Sequence, residues 1–506
     1  MVTVQLPERK CSAANQGLEP PPVSKGRCLI RGTARTCSGE TQDLLFEMKF
    51  FLNVLKTFGT ELLIALLSFF TGVVTARLLG PKDQGVLSLA IAVPITLTFI
   101  SNLGLAQANI YFIGRKRGSL VDITANSFAV ALSIGLVIII AIYLFQGYVL
   151  KTVLRGLDSA SLMLVSCVVP LMLVDRYLLS ILEGLNQFGL FNLRRLLTPL
   201  LTLIGIAFAV GVLGQGLKGA VIVQAAVVVT TTAWLVIVFN KRIAPLTLGF
   251  NKELVRDSLT YGIKAYVQNL AIHLLYHADL YLLALFRSAE EVACYAIAMS
   301  LVRVIWYVPD SVGLVLFPRL ARMTGSSGQR FTAVVCRWTL LITAGAALAL
   351  AAVGGLLVPS LYGTAYSGAV RPMLILLPGA VVITVYKVVV RDFISRDSQK
   401  VPILTAVLGL AVNVVLNLVL IPKLGTAGSA LAATLSYSVT TGVLLLSFLA
   451  ESRGRWRDVV LVQHSDWPVG AGEARRWLAR AGLLKKGQAS SEQAMIARTE
   501  SSLIGE

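Results

Sequence analysis

Apolar residues run along this chain in long blocks, each about the length of a bilayer crossing and separated by short polar breaks. A crossing needs about 20 mostly apolar residues, because a helix rises 1.5 Å per residue and the hydrocarbon core is about 30 Å thick. Twelve blocks qualify, at roughly 58–79, 86–108, 124–146, 160–183, 196–214, 219–239, 259–285, 292–318, 333–357, 372–395, 401–421 and 427–449. In lipid, backbone groups must be paired within the segment, so blocks of this length are helices. The pattern predicts an all-α polytopic membrane protein of about 12 transmembrane helices.

Two short stretches recur at nearly one spacing. Ala90-Ile91-Ala92-Val93 matches Ala296-Ile297-Ala298-Met299 at an offset of 206, and Gly216-Leu217-Lys218-Gly219 matches Gly425-Thr426-Ala427-Gly428 at 209. Six spans separate the copies, an even number, so both halves share one orientation. This predicts two pseudo-symmetric six-helix lobes, 57–240 and 259–449, joined by a cytoplasmic connection at 241–258. Transporters use such repeats to place a cavity between lobes and rock them around it.

The ends differ from the body. Residues 1–56 hold Pro20-Pro21-Pro22, scattered basic residues and no apolar h-region, so no secretory signal is read there. Met48-Lys49-Phe50-Phe51 opens like an ordinary bacterial membrane protein. Either Met48 is the initiator and an over-extended reading frame precedes it, or the segment is a disordered cytoplasmic extension. Residues 450–506 form a basic tail in which Glu473–Leu484 is amphipathic, suited to a membrane surface or to a solvated tail.

Composition sharpens this picture. Charged residues make up 14% and hydrophobic residues 56%, with a mean hydropathy of +0.76; soluble domains carry roughly 25% charge. The formal charge of +19 would point to nucleic acid in a soluble protein. Here, with the N-terminus inside, the inner loops hold 14 Lys and Arg against 7 in the outer loops, and the termini add 17 on the inner side. That asymmetry follows the positive-inside rule. It places both termini in the cytoplasm and accounts for the charge without nucleic acid. The six cysteines show no metal-binding spacing.

The run Thr71-Gly72-Val73-Val74-Thr75-Ala76-Arg77-Leu78-Leu79-Gly80-Pro81-Lys82-Asp83-Gln84-Gly85 resembles the first-span signature of polysaccharide transporters, the O-antigen and exopolysaccharide flippases. The stretch from Asn413 through Asn417, Pro422 and Gly428 to Ala432 is similar to that family's eleventh-to-twelfth-span signature. The resemblance covers about residues 50–450. It places the chain in the larger group of multidrug and toxin extruders and lipid II flippases, the last of which typically have fourteen spans. It implies export of polyprenyl-diphosphate-linked oligosaccharide repeat units from the inner to the outer leaflet, for cell-surface polysaccharide. The membrane is then the cell inner membrane, and polysaccharide polymerases and glycosyltransferases are the implied partners.

Such a substrate needs a wet path with positive charge for its phosphates, so intramembrane cations are the informative residues. In the eighth span Ser300, Arg303, Tyr307 and Asp310 share one helical stripe, with Arg303 near mid-bilayer. In the tenth span Lys387 and Arg391 lie one turn apart, facing the lumen or, for Arg391, snorkelling to the interface. Arg176 beside Asp175 in the fourth span and Lys264 in the seventh complete the lumen cations. The seventh span also carries His273, His277 and Asp279, candidates with Asp310 for coupling to a proton or sodium gradient. A hydrated lining without coupling explains the same polar residues. Arg77, Gly80 and Gly85 are read as structural at a tight outer turn, with Arg77 at the interface, and Asn413 and Asn417 as structural polar residues in an apolar span.

No nucleophile–base set or phosphate loop is present, so the expectation is a transporter, not an enzyme, without a cofactor. An ion-coupled multidrug/cation antiporter is the alternative, disfavoured by the excess of intramembrane cations. A membrane-embedded polysaccharide polymerase or acyltransferase is the alternative of another class, disfavoured by short outer loops. A sugar porter is disfavoured by Gly114-Arg115-Lys116-Arg117-Gly118, which lacks an acidic residue.

Overall fold

A computed structural model describes residues 39–463 except 248, 321, 322, 324 and 325. The proline run at 20–22 and the amphipathic segment at 473–484 lie outside the described residues. Residues before 54 form a unit separate from the transmembrane body that begins at Val54; of them, 39–53 are helical. Inner and outer ends are named below by the orientation that the charge asymmetry assigns.

The body is helical, with no strand among the described residues. Helix α1 (Gly39–Ser101) contains a 43-residue apolar stretch, Gly59–Ser101. At 1.5 Å per residue that is about 65 Å, twice the hydrocarbon thickness. The helix breaks at Gly80, whose φ of 76° and ψ of 171° are not helical and which precedes Pro81. A left-handed φ suits glycine alone among ordinary residues. The stretch is therefore two spans meeting at an outer turn. With the ten long helices that follow, twelve spans result among the described residues.

A second break at Leu103 and Gly104 (φ 47° and 82°) separates α1 from α2 (Leu105–Gly114), which extends the second span inward. The remaining N-lobe helices are α3 (Leu120–Thr152), α4 (Ser159–Cys167) and α5 (Val169–Gly184) sharing one span, α6 (Phe188–Ile206) continued by a π turn, and α7 (Gly216–Arg242). The C-lobe holds α8 (Lys252–Phe286), α9 (Ala289–Leu320), α10 (Ser326–Tyr362), α11 (Val370–Ser395), α12 (Lys400–Leu424) and α13 (Thr426–Ser452), with a short α14 (Trp456–Val460) after it. Within the N-lobe, α5 packs on α2, α3 and α7; within the C-lobe, α11 packs on α9, α10 and α13. Their inward faces supply the cores: Leu173, Tyr177 and Ile181 from α5, Ile383, Val388 and Phe393 from α11, all fully buried.

The sequence repeat has a backbone counterpart. Gly216 and Gly425, which stand before the last span of each lobe, have φ of 58° and 59°.

An antiparallel pair runs along the seam between the lobes, the second arm of α1 against α8, and α2 and α3 also meet α8. At the outer end Gly85 meets the start of α9, where an added Cβ would lie 1.9 Å from the Ala289 carbonyl oxygen. Gly85 is therefore required by close helix approach, not by the turn that the sequence reading assigned it to. Further inward, Tyr281 donates to the Ala92 carbonyl at 2.7 Å, Thr96 meets His273 Nε2 at 2.9 Å, and Phe99 stacks on His273 at 3.8 Å. At the inner end Gly104 and Gly262 touch backbone to backbone. Arg77 of α1 donates to the carbonyls of Ser360 and Leu361 at the end of α10, and Tyr366 donates to the Ala76 carbonyl at 2.8 Å.

Candidate functional site

Two contiguous cavities open within and between the lobes. The first, about 880 Å³, lies inside the N-lobe between α1, α2, α5, α6 and α7. The second, about 430 Å³, lies between the lobes, with α1 on one wall and α8 and α9 on the other. Ser68, Gly72, Ile91 and Ile95 line both, so they form one path.

Arg303 faces the interlobe cavity. The period of α9 brings Ser300, Arg303 and Tyr307 to the same wall, while Tyr276 and His277 of α8 and Tyr295 of α9 complete it. The Arg303 side chain is solvent-accessible and makes no hydrogen bond or ion pair among the described residues. A guanidinium held deep in a lobe, open to a cavity and without a counter-ion, is a ready partner for an anion that arrives there.

The other cations of the sequence reading are placed differently. Arg176 lines the N-lobe cavity, and its guanidinium lies 4.2 Å over the Phe99 ring. Lys387 is bound to both oxygens of Asp310, at 2.7 and 2.8 Å, and lies over the rings of Trp306 and Tyr276. It does not line either cavity, and Asp310 is committed to this pair. Arg391 packs against Gly313, with its Nε buried and without a hydrogen-bond partner. Lys264 is exposed and lines neither cavity. The lumen cations that the structure brings to the path are thus Arg303 and Arg176; Lys387, Arg391 and Lys264 are not. The physical reason is that a helical stripe fixes the face a residue occupies but not the partner it finds across the fold.

His277 lines the interlobe cavity, with its ring 4.5 Å from that of His273, which is held at the seam by Thr96 and Phe99. Asp279 lies apart from both, fully buried in the C-lobe. Asn413 and Asn417 of α12 donate to its Oδ1 at 2.8 and 2.7 Å, and Tyr295 donates to its Oδ2 at 2.9 Å. Asn413 also reaches Ser436 of α13 at 3.2 Å. The two asparagines singled out in the motif and the aspartate 134 residues before the first of them are therefore one polar cluster.

Three charged residues that line the N-lobe cavity, Arg194, Arg195 and Glu183, were missed. Arg194 and Arg195 were counted as loop residues, yet α6 begins at Phe188 and puts both inside the span. Arg194 pairs with Asp175 at 2.8 Å and Arg195 with Glu61, while Glu183 faces the cavity unpaired. The apolar positions Phe188, Leu190, Phe191 and Leu193 carried the signal that this span starts earlier.

A family model described as "Polysaccharide biosynthesis protein" matches residues 51–324. An uncharacterized membrane protein of Methanocaldococcus jannaschii is 26% identical over 197 residues, 38% of each chain. Among solved structures, a lipid II flippase MurJ in an inward closed conformation is similar with a TM-score of 0.68 at 15% identity, over 79% of this chain and 90% of that one. An inward-facing multidrug resistance MATE family transporter of the MOP superfamily gives 0.60 at 15%, over 77% and 94%. A MOP superfamily transporter from Pyrococcus furiosus, with a binding pocket of reverse polarity, gives 0.56 at 14%, over 79% and 94%. This chain is a multi-pass membrane protein with the transporter fold that lipid II flippases and MATE transporters share, and it belongs to the polysaccharide biosynthesis protein family.

Proposed function

We propose that this protein exports polyprenyl-diphosphate-linked oligosaccharide repeat units across the cell inner membrane by alternating access of its two lobes. The observation that supports this most is the unpaired Arg303 in the interlobe cavity. A diphosphate that enters between the lobes meets a cation with no competing carboxylate, while its lipid tail stays in the bilayer. The same feature weighs against a cationic drug as cargo, since an unpaired guanidinium repels it. Glycosyltransferases would supply the substrate, and a polymerase would consume it on the outer side.

The Asp279 cluster is the candidate coupling site, for a proton or for sodium. Its donor set suits a hard cation: a carboxylate, the amide oxygen of Asn413, and the Asn417 Oδ1, which is buried and has no hydrogen-bond partner. Either ion would exchange with the donors that now satisfy the carboxylate and so alter the packing of α8 on α12.

The test is Arg303→Ala in a strain that depends on this protein for surface polysaccharide. A charge-assisted bond is worth about 1.5–3 kcal/mol, on the order of 10- to 100-fold in affinity. The variant should insert normally and lose surface polymer, with Arg303→Lys retaining part. Normal polymer from Arg303→Ala would remove the residue from the mechanism.

A further inference from the structure

We propose that the N-lobe cavity is the glycan chamber: it holds the sugars of the substrate while Arg303 holds the diphosphate, and Glu183 disfavours acidic sugars at its inner end. This rests on the diphosphate reading of the interlobe cavity given above.

Two of the chamber's arginines are neutralised within the protein. Arg194 is engaged by Asp175 and Thr198 and Arg195 by Glu61, while Arg176 lies over the face of Phe99 and makes no ion pair among the described residues. The charged side chain in the chamber that makes no hydrogen bond, ion pair or cation–π contact among the described residues is Glu183, which is exposed to it. An acidic sugar brought to the inner end of α5 therefore meets a like charge there, which disfavours it.

What the chamber offers is neutral and mostly accepting. Thr71, Thr75, Thr98 and Thr202 each donate their hydroxyl hydrogen to a carbonyl of their own helix, at 2.8, 3.0, 2.7 and 2.8 Å. Their oxygens keep lone pairs free to accept. Sugar hydroxyls are donors for such oxygens, and Gln107 and Gln224 on the same lining can serve hydroxyl or acetamido groups in either role. Ile91, Ile95, Met172 and Leu179 give apolar surface for the C–H faces of the rings.

The proportions agree with this division. The chamber, at about 880 Å³, has roughly double the volume of the Arg303 compartment at about 430 Å³, as a multi-sugar group requires beside a diphosphate. The four residues that line both allow one covalently linked headgroup to occupy the two at once.

The test separates the compartments. Purified full-length protein in nanodiscs is titrated with farnesyl diphosphate, which has the phosphates and no sugar, and export is read as surface polymer in cells. Gln224→Trp, which fills the chamber, should cut export at least tenfold and leave the farnesyl diphosphate Kd within twofold of wild type. Gln107→Ala with Gln224→Ala removes hydrogen bonding without adding bulk and should act in the same direction, which covers the case of a misfolded tryptophan variant. Glu183→Gln should leave farnesyl diphosphate binding unchanged and raise export of acidic repeat units in a host that makes them. Wild-type export from both glutamine variants, or loss of farnesyl diphosphate binding alongside export, would overturn the chamber. If wild-type protein fails to bind farnesyl diphosphate, the Arg303 assignment falls instead, and the export of the chamber variants still decides for or against a glycan site in the N-lobe.

Discussion

The two lobes are built from similar apolar helices but dispose differently of the polar side chains singled out above. In the C-lobe, Asp279, Asn413, Asn417 and Ser436 are all fully buried and bond one another, so the lobe is solid around a polar knot. In the N-lobe, Gln107, Gln224 and Glu183 face a cavity of about 880 Å³, so the lobe is hollow. A buried polar group must find protein partners, whereas one on a wet wall can use water. The difference teaches that polarity inside a span has two meanings, and only three-dimensional pairing tells them apart.

Equal truncations should therefore cost unequal amounts. Asp279→Ala strands the amides of Asn413 and Asn417 and the hydroxyl of Tyr295, and should destabilise the protein by about 3–5 kcal/mol. Gln224→Ala, on the cavity wall, should stay within about 0.5 kcal/mol. Thermal unfolding in detergent checks both; comparable losses would erase the solid-versus-hollow distinction.

The seam between the lobes is the next place to probe. Arg77→Ala removes two bonds from a cation to carbonyls at the C-terminal end of α10, each worth about 1.5–3 kcal/mol before solvent replaces it. The outer side should open more often. In a cysteine-free background, a cysteine placed at Thr75 should then react faster with an impermeant maleimide, and an unchanged rate would show that Arg77 does not hold the lobes together.

The most local effect is expected at the N-terminus of α4. There Asp158 accepts from the Ser161 hydroxyl at 2.6 Å and caps the helix. The Ser161 hydroxyl holds its carboxyl below the ordinary range. A lowered pKa means that this stabilisation is present at neutral pH and is lost in acid as pH falls through it. Asp158→Ala should cost about 1 kcal/mol of local stability, seen as faster amide exchange at the start of α4 and no change in the C-lobe.

Much of the architecture was legible because it is local. Twenty-residue apolar blocks, the Gly80-Pro81 break and the glycines before the last span of each lobe are properties of neighbouring residues, and each has its counterpart in the fold. The site was legible only in part. The α9 stripe placed Arg303 on the cavity wall, but nothing near Lys387 in the chain announces that Asp310, 77 residues earlier, will neutralise it. Asp279 was singled out as a coupling candidate and Asn413 and Asn417 as structural, for unrelated reasons, and their meeting depends on α8 packing against α12. Arg194 and Arg195 were lost for a different cause: a positive-inside count absorbs any arginine close to a span boundary, and here the boundary lay two turns further out.

The glycine contacts at Gly85 and Gly104 have a mechanical consequence. Where two helices meet main chain to main chain, no side chain has to change rotamer for them to part, and little conformational entropy is frozen when they rejoin. A hinge line made this way is smooth: it resists compression, since nothing can be squeezed further, but offers little friction to separation. Under the alternating-access proposal, rocking about the α1–α8 pair would then be governed by the few hydrogen bonds and the Phe99–His273 stack strung along it and by whatever the cavities contain, and cargo could set the pace of the cycle.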